Sequence, residues 1–219
     1  MIKKLISLIL SVFITLSLFS QSDVITDFNE NIVCSEIRYD YKFGNVTIDT
    51  LGLLKAQYFY NSTGLVEKIV LYYENEMVYK IIKNNYDQKN RLAEQVEYYS
   101  NGRMAFKSVN YYDSSNFVIA RDVYYFTGDV YKHHKFVNDT YGNPIKEDIY
   151  FANGNKFNSI IYAYKYDVTG RKTEEIIYNE KGFITSIWTY SYDANGKLKE
   201  KILYNNVKEP VSLFVYLCN

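Results

Sequence analysis

The feature that most constrains this chain is a register of aromatic residues that recurs at every thirteenth position. Twelve positions share the register, nine of them aromatic and three of them Asn: Tyr60, Tyr73, Tyr86, Tyr99, Tyr112, Tyr125, Asn138, Phe151, Tyr166, Asn179, Tyr192 and Asn205. One two-residue offset separates the first eight positions from the last four. Because only 18% of the chain is aromatic, this regularity indicates a true internal repeat.

A doubled period lies inside the register, because the next residue is Asp in alternate units: Asp87, Asp113, Asp139, Asp167 and Asp193. Three of these Asp residues are followed three positions later by Gly, at Gly142, Gly170 and Gly196. In the other two units, Asn90 and Asn116 take the place of Gly. Asp can bond the backbone two residues on, and Gly or Asn tolerates the left-handed conformation, so we predict a turn at each.

The intervening units carry Asn-Gly in "SNGR" and "ANGN", the strongest short hairpin signal. We therefore expect two different types of turn. Each repeat unit accommodates a turn of about four residues and a strand of about nine residues. Two units then form a hairpin, and all the Asp turns fall on one edge of an antiparallel meander.

The expected fold is all-β, with a single antiparallel up-and-down meander of about a dozen strands. The chain contains 25 Tyr and 13 Phe against two Pro, which favours strands. Open twisted sheets rarely exceed about ten strands without curling. We therefore predict a single-layer or curled sheet, with a β-sandwich or a closed barrel as the alternatives.

The N-terminal segment is typical of a secretory signal peptide, which we place at residues 1–20. Lys3 and Lys4 precede an apolar run that is shorter than the roughly 20 residues of a spanning helix. The nearest cysteine is Cys34, so no lipid-modified cysteine is expected. We predict a secreted or periplasmic protein with no membrane span after cleavage.

Residues 21–57 do not keep the register, and we predict that they cap the first edge of the sheet. Residues 58–219 form the predicted repeat domain. Exposed edge strands would permit self-association. Without Lys3 and Lys4 the chain has 23 basic against 25 acidic residues, a net charge of about −2 that disfavours nucleic acid as a partner.

The segments "YDVTGRKTEEIIY" and "YDANGKLKEKILY" resemble the tyrosine-aspartate (YD) repeat of the Rhs and teneurin families. "YDQKNRLAEQVEYY" and "NDTYGNPIKEDIY" are similar but carry Asn90 for Gly and Asn138 for Tyr. The resemblance implies a short, exported, toxin-free member with a curled β-shell, at the cell surface or secreted, and it implies carbohydrate binding. A weaker likeness exists to repeat proteins of the MORN type.

Trp188 shares a face of its strand with Tyr190 and Tyr192, and such a row of rings can stack on sugars or on a protein partner. We predict these three as ligand-binding residues. Packing between strands explains the row equally well. Cys34 and Cys218 are the only cysteines, and they would form a disulfide only if the ends of the sheet met or a terminus folded back.

We predict no catalytic, cofactor or metal site. His133 and His134 are adjacent on a strand, so they point to opposite faces and cannot bind one metal together. Glu94, Glu174 and Glu200 recur at one place in the repeat, as expected for a ladder of ion pairs with Lys. The leading hypothesis is a non-catalytic binding or scaffold module for a glycan or protein. The alternatives are an immunity protein that neutralises a toxin and a carbohydrate-active enzyme.

Overall fold

The computed structural model describes residues 32–42, 48–49 and 51–218, so the predicted signal peptide lies outside it. Fourteen strands make up the described fold. They are β1 Ile32–Asp40, β2 Leu53–Tyr60, β3 Val66–Tyr72, β4 Val78–Tyr86, β5 Leu92–Tyr99, β6 Met104–Tyr112, β7 Val118–Tyr125, β8 Val130–Asn138, β9 Pro144–Phe151, β10 Lys156–Tyr166, β11 Lys172–Asn179, β12 Ile184–Tyr192, β13 Leu198–Tyr204 and β14 Pro210–Cys218. In this part of the chain no helix could cross a membrane.

The strands form one antiparallel up-and-down sheet that closes into a barrel, because β1 pairs with both β2 and β14. The predicted all-β meander is confirmed, and the sheet is closed, which was the barrel alternative to the single-layer or curled sheet. The described residues form fourteen strands rather than about a dozen. The predicted capping segment supplies β1, which is itself a barrel strand. The described sheet therefore has no free edge, so it offers no exposed edge strand for the predicted self-association.

All twelve turns after β2 have the same geometry, so the expectation of two turn types is wrong. The first residue donates its N–H to the carbonyl four residues on, and accepts from the N–H three residues on. The fourth residue has a positive φ in both classes, as at Asn90 (60°) and Gly102 (80°). In the predicted Asp turns the carboxylate also accepts two backbone N–H groups, as Asp87 does from Lys89 and Arg91.

The two classes differ in where the turn begins. It begins one residue after the register position in the Asp units and at the register position, such as Tyr99, in the others. The steps from one turn to the next therefore alternate between twelve and fourteen positions, with a single step of sixteen. Each hairpin is displaced by two residues from the preceding hairpin. This is about 6.6 Å along the strand direction for about 9.6 Å across the two strands of a hairpin, which corresponds to a strand tilt of about 35°. That tilt is typical of closed barrels.

The turns lie at two ends of the barrel. The Asp end has the turns that begin at Asn61, Asp87, Asp113, Asp139, Asp167 and Asp193. The aromatic end has the β1–β2 connection and the turns that begin at Tyr73, Tyr99, Tyr125, Phe151, Asn179 and Asn205. The Asp turns do lie together, as the sequence predicted.

The register tyrosines of the Asp end join successive hairpins. Tyr86 donates its hydroxyl to the Val66 carbonyl at 2.8 Å, and Tyr112 does the same to the Leu92 carbonyl at 2.8 Å. These carbonyls lie where the strand after each turn is shifted in register. Asn138, which replaces Tyr, donates its amide to the equivalent Val118 carbonyl. Tyr86, Tyr112 and Asn138 thus all place a side-chain hydrogen-bond donor at the same register position of the repeat.

The two faces of the sheet differ in exposure. Strand residues such as Tyr111, Val137 and Ile161 are exposed and lie on one face, which we call the outer face. The alternate residues form the lumen face. Within the described segments no large side chain is fully buried, so the lumen face is not a close-packed core. On the outer face Lys side chains lie over aromatic rings, as Lys68 does over Phe59 at 3.9 Å, and they shield the strands from water.

Cys34 and Cys218 face each other across β1 and β14 and form a disulfide. It links the two strands that close the barrel, 184 residues apart in sequence. Replacing both cysteines by Ser should lower the free energy of unfolding by about 2–5 kcal/mol, because the open chain has more conformational freedom. Urea unfolding followed by circular dichroism measures the change, with the reduced wild type as control. Equal midpoints for the oxidised and reduced protein would contradict it.

Tyr112→Phe should lower the free energy of unfolding by about 1 kcal/mol, because the Leu92 carbonyl loses a hydrogen bond. Tyr99→Phe is the matched control, since Tyr99 holds the same register position at the aromatic end, where its ring is exposed. Chemical unfolding of both variants gives the comparison. If the two substitutions have equal effects, the hydroxyl of Tyr112 does not stabilise the fold.

Candidate functional site

One position on the lumen face recurs on every odd-numbered strand. Its occupants are Glu36, Ile69, Gln95, Arg121, Glu147, Glu175 and Lys201. From β3 onward these positions follow the doubled period of the repeat, with the two-residue offset between β9 and β11. The backbone thus places equivalent side chains on one level of the lumen. Their chemistry nevertheless differs, since five are charged and two are neutral.

Glu36 is the most buried of the charged residues at this level, with a residue exposure of 6%. Its Oε2 accepts hydrogen bonds from Tyr216 at 2.5 Å, Tyr58 at 3.0 Å and Lys201 at 3.2 Å. Burial and the nearby Glu36 carboxylate raise the pKa values of Tyr58 and Tyr216. Both tyrosines therefore remain protonated hydrogen-bond donors at neutral pH.

Lys201 lies among three aromatic rings. Its Nζ is 4.8 Å from the Phe214 ring centre, 5.3 Å from that of Trp188 and 5.6 Å from that of Tyr216. The Trp188 and Phe214 rings are themselves 5.6 Å apart. The ammonium is attracted to the ring faces. Lys201 therefore contacts the aromatic rings and the Glu36 carboxylate at the same time.

Two further carboxylates repeat this arrangement along the lumen. Glu175 accepts from the Tyr190 hydroxyl and from Lys172 at 3.1 Å. Glu147 contacts His134 Nδ1 at 2.6 Å and accepts from the Tyr162 hydroxyl at 2.7 Å. Each carboxylate thus has one tyrosine and one basic side chain as partners.

These groups occupy neighbouring strands from β8 through β14 to β2, and we call them the acidic arc. Its members are Glu36, Tyr58, His134, Glu147, Tyr162, Lys172, Glu175, Trp188, Tyr190, Lys201, Phe214 and Tyr216. On β3 to β6 the lumen carries amides beside one ion pair, in which Lys80 Nζ is 2.7 Å from Glu97 Oε2. There Gln95 donates to Asn84 at 2.9 Å, and Asn110 donates to the Leu92 carbonyl at 2.8 Å. The acidic arc therefore differs from this side in its carboxylates that are each bonded to a tyrosine.

The structure places the predicted row Trp188, Tyr190 and Tyr192 on the lumen face. Trp188 and Tyr190 belong to the acidic arc. Tyr192 instead donates its hydroxyl to the Lys172 carbonyl at 2.7 Å, so it is one of the tyrosines that join hairpins. Binding of a ligand by this row remains a prediction.

His133 and His134 point to opposite faces, as the sequence predicted: His133 contacts Asp122, and His134 contacts Glu147. Glu94 and Glu174 lie on the outer face and pair across strands with Lys107 at 3.4 Å and Lys165 at 2.9 Å. The ladder interpretation is thus confirmed for these two. Glu200 pairs along its own strand with Lys199 at 3.3 Å. No group of three potential metal ligands occurs among the residues that the structure describes.

Sequence reasoning missed Glu36, Glu147, Glu175 and Lys201. Glu175 directly follows Glu174, and only the pairing of the strands assigns the one to the lumen and the other to the outer face. A signal did exist. Aligned on the doubled repeat, this column varies from Ile to Gln, Arg, Glu and Lys, so the sequence marks it as a position at which the hairpins differ in chemistry.

No family model and no curated protein matches the chain. Among solved structures it is similar to a porin-like protein from Bacteroides uniformis ATCC 8492, with 9% identity, a TM-score of 0.49 and coverage of 86% of this chain and 98% of that chain. A porin-like protein from Bacteroides vulgatus ATCC 8482 has 12% identity, a TM-score of 0.46 and coverage of 84% and 97%. The Photorhabdus luminescens Tc holotoxin pore has 11% identity and a TM-score of 0.29, over 83% of this chain and 11% of that chain. At these scores the similarities carry no argument about activity.

Glu147→Gln should destabilise the protein more at neutral than at acidic pH. Burial alone would raise the pKa of Glu147, but hydrogen bonds from His134 and Tyr162 outweigh burial and hold the pKa below its ordinary value. The carboxylate therefore contributes stability above its unfolded pKa of about 4.3, and this is lost as the pH falls through the folded pKa. We expect a loss of about 1.5–3 kcal/mol at pH 7.

Urea unfolding of Glu147→Gln and wild type at pH 7 and pH 3 measures this difference. Glu174→Gln is the control, because Glu174 is a glutamate of the outer face that pairs with Lys165, whose side chain is 70% exposed. The control should lose little at either pH. A gap between Glu147→Gln and wild type that is as wide at pH 3 as at pH 7 would contradict the assignment.

Proposed function

We propose that the protein is a non-catalytic binding module that takes a carbohydrate into its barrel, against the acidic arc. The observation that carries this proposal is the Trp188 ring beside Phe214 with Lys201 and Glu36 next to it. Aromatic planes match the apolar faces of sugar rings, and adjacent charged groups and tyrosine hydroxyls match sugar hydroxyls. The polar groups beside the rings would orient the bound sugar and select between sugars that differ in their hydroxyl groups.

Binding is favoured over hydrolysis by the partners of the carboxylates. A glycosidase needs two carboxyl groups in unlike environments, one of them held protonated. Glu147 has a lowered pKa, which suits a permanent hydrogen-bond acceptor and not an acid. Glu36 and Glu175 each accept from a tyrosine and a lysine, which supports the same role.

The disulfide supports a place outside the reducing cytoplasm, in the periplasm or the medium. This agrees with the signal peptide predicted for residues 1–20. A binding module in that compartment meets cell-envelope and environmental glycans. We therefore propose such glycans, rather than cytoplasmic sugars, as its ligands.

Trp188 makes the test direct, because it is the only tryptophan of the chain. A glycan array screened with the purified protein selects oligosaccharides, and each is then titrated while the intrinsic fluorescence is followed. A lumen ligand should change the emission of Trp188 saturably. An array without hits, or hits that leave the emission unchanged, would count against the proposal.

Trp188→Ala should weaken binding of a selected oligosaccharide at least about tenfold, since the stacking surface is lost. Calorimetry measures the affinity, because this variant lacks the fluorescent reporter. Tyr178→Ala is the control, as Tyr178 lies on the outer face opposite Ile161. Both variants need thermal unfolding like that of wild type. Equal affinity of the two variants would place the ligand elsewhere.

A further inference from the structure

Two even-numbered strands, β10 and β12, each carry an aromatic ring at three successive lumen positions. We call these six side chains the lumen groove: Tyr162, Tyr164, Tyr166, Trp188, Tyr190 and Tyr192. At the equivalent positions β4 has Ile82, Asn84 and Tyr86, with a single ring. Because β4 belongs to the same barrel, the fold does not require three rings on a strand.

Contacts join the rings of the lumen groove into one surface. The ring centres of Tyr162 and Tyr164 are 6.2 Å apart with their planes at 6°, and the ring centre of Tyr166 is 6.0 Å from that of Tyr164. Lys172 lies on β11, between the two rows of rings. Its Nζ is 5.1 Å from the centre of the Tyr164 ring and 4.8 Å from that of Tyr190. The two rows are therefore linked through one ammonium group.

Hydrogen bonds fix the β10 rings against the barrel wall. The Tyr164 hydroxyl donates to the Pro144 carbonyl at 2.7 Å, and the Tyr166 hydroxyl bonds the Asp139 carboxylate. Pro144 begins β9 and Asp139 begins the turn before it, so these rings lie along the wall rather than across the lumen. Both side chains are partly exposed. Ring surface is therefore left for a ligand to stack on.

The row of rings on β10 runs from the middle of the barrel to the Asp end. It begins after Ile160, the preceding lumen residue, and ends at Tyr166. There the Tyr166 ring centre is 4.3 Å from that of Tyr141, the third residue of an Asp-end turn, which is 57% exposed. The third residues of the other five Asp-end turns are polar: Thr63, Lys89, Ser115, Thr169 and Asn195. Tyr141 thus extends the row to the mouth of the barrel at one place only.

The charges beside the groove favour a neutral ligand. Lys172 lies 3.1 Å from Glu175, and Lys201 lies 3.2 Å from Glu36, so each ammonium already has a carboxylate partner. An anionic chain in the groove would lie against these carboxylates and be repelled. Sugar hydroxyls can both donate to a carboxylate and accept from an ammonium group, so a neutral sugar meets no such repulsion.

We propose that the ligand is a neutral linear oligosaccharide that enters at the Asp end, lies along the lumen groove and covers Tyr141 with its outer units. This inference rests on the proposed carbohydrate binding and adds the length, charge and direction of the ligand. A sugar ring is about as wide as a tyrosine ring, so the row from Tyr162 to Tyr141 offers stacking surface to several successive units. A short sugar near Trp188 leaves Tyr141 uncovered. Affinity therefore increases with chain length.

The test is a titration of the purified protein, produced from the full chain, with malto-, cello- and chito-oligosaccharides of two to six units and with the same lengths of any sugar that the glycan array selects. Trp188 fluorescence gives the affinity. The six-unit sugar of a series that binds should bind at least about tenfold more tightly than its two-unit sugar. Tyr141→Thr should weaken binding of the six-unit sugar about three- to tenfold and leave that of the two-unit sugar unchanged. Tyr141→Phe keeps the ring and should bind like wild type.

The repeat itself supplies the controls. Thr169 holds the position of Tyr141 in the next Asp-end turn, so the turn accepts Thr, and thermal unfolding like that of wild type checks each variant. Asn195→Ala, at the same position of a third Asp-end turn, should change neither affinity.

Equal affinity for two-unit and six-unit sugars, equal losses for both in Tyr141→Thr, or tighter binding of anionic oligogalacturonides than of neutral sugars overturns this inference and leaves the proposed function standing. No binding by any series, together with an array without hits, overturns both.

Discussion

A difference of two residues between strands that run up and strands that run down is the constraint on which this structure depends. Because shorter and longer steps between turns alternate along the chain, each hairpin is displaced along its neighbour, and the strands tilt. A tilted sheet of fourteen strands curls until its first and last strands meet. Closure creates the lumen, removes the free edges and brings Cys34 to Cys218.

The repeat builds the wall of the barrel, and the side chain at one inward position differs from hairpin to hairpin. On the outer face, charge pairs such as Glu94 with Lys107 recur and stabilise neighbouring strands. On the lumen face the recurring position carries Gln95 in one hairpin and Glu147 two hairpins later. Within the acidic arc, Trp188 and Lys201 add an aromatic surface and an ammonium to the carboxylates.

The register position of the repeat has different structural roles at the two ends of the barrel. At the Asp end the tyrosine precedes the turn and points into the lumen, where the hydroxyls of Tyr86, Tyr112 and Tyr192 bond carbonyls of the previous hairpin. At the other end the residue is itself the first of the turn, and its ring is exposed, as at Tyr99. A one-residue shift of the turn thus separates a structural contact from an exposed aromatic ring.

Much of this fold can be predicted from short sequence motifs. Tyr-Asp and Asp-x-x-Gly define where the chain reverses, since a turn is decided by a few adjacent residues. Strand identity, antiparallel order and the shared face of Trp188 and Tyr190 follow from that spacing. Closure does not follow, because it depends on a small tilt summed over every hairpin and on β1, which lies outside the register. The pairing of Glu36 with Tyr216 and Lys201 spans the whole chain, and only the meeting of the first and last strands brings these side chains together.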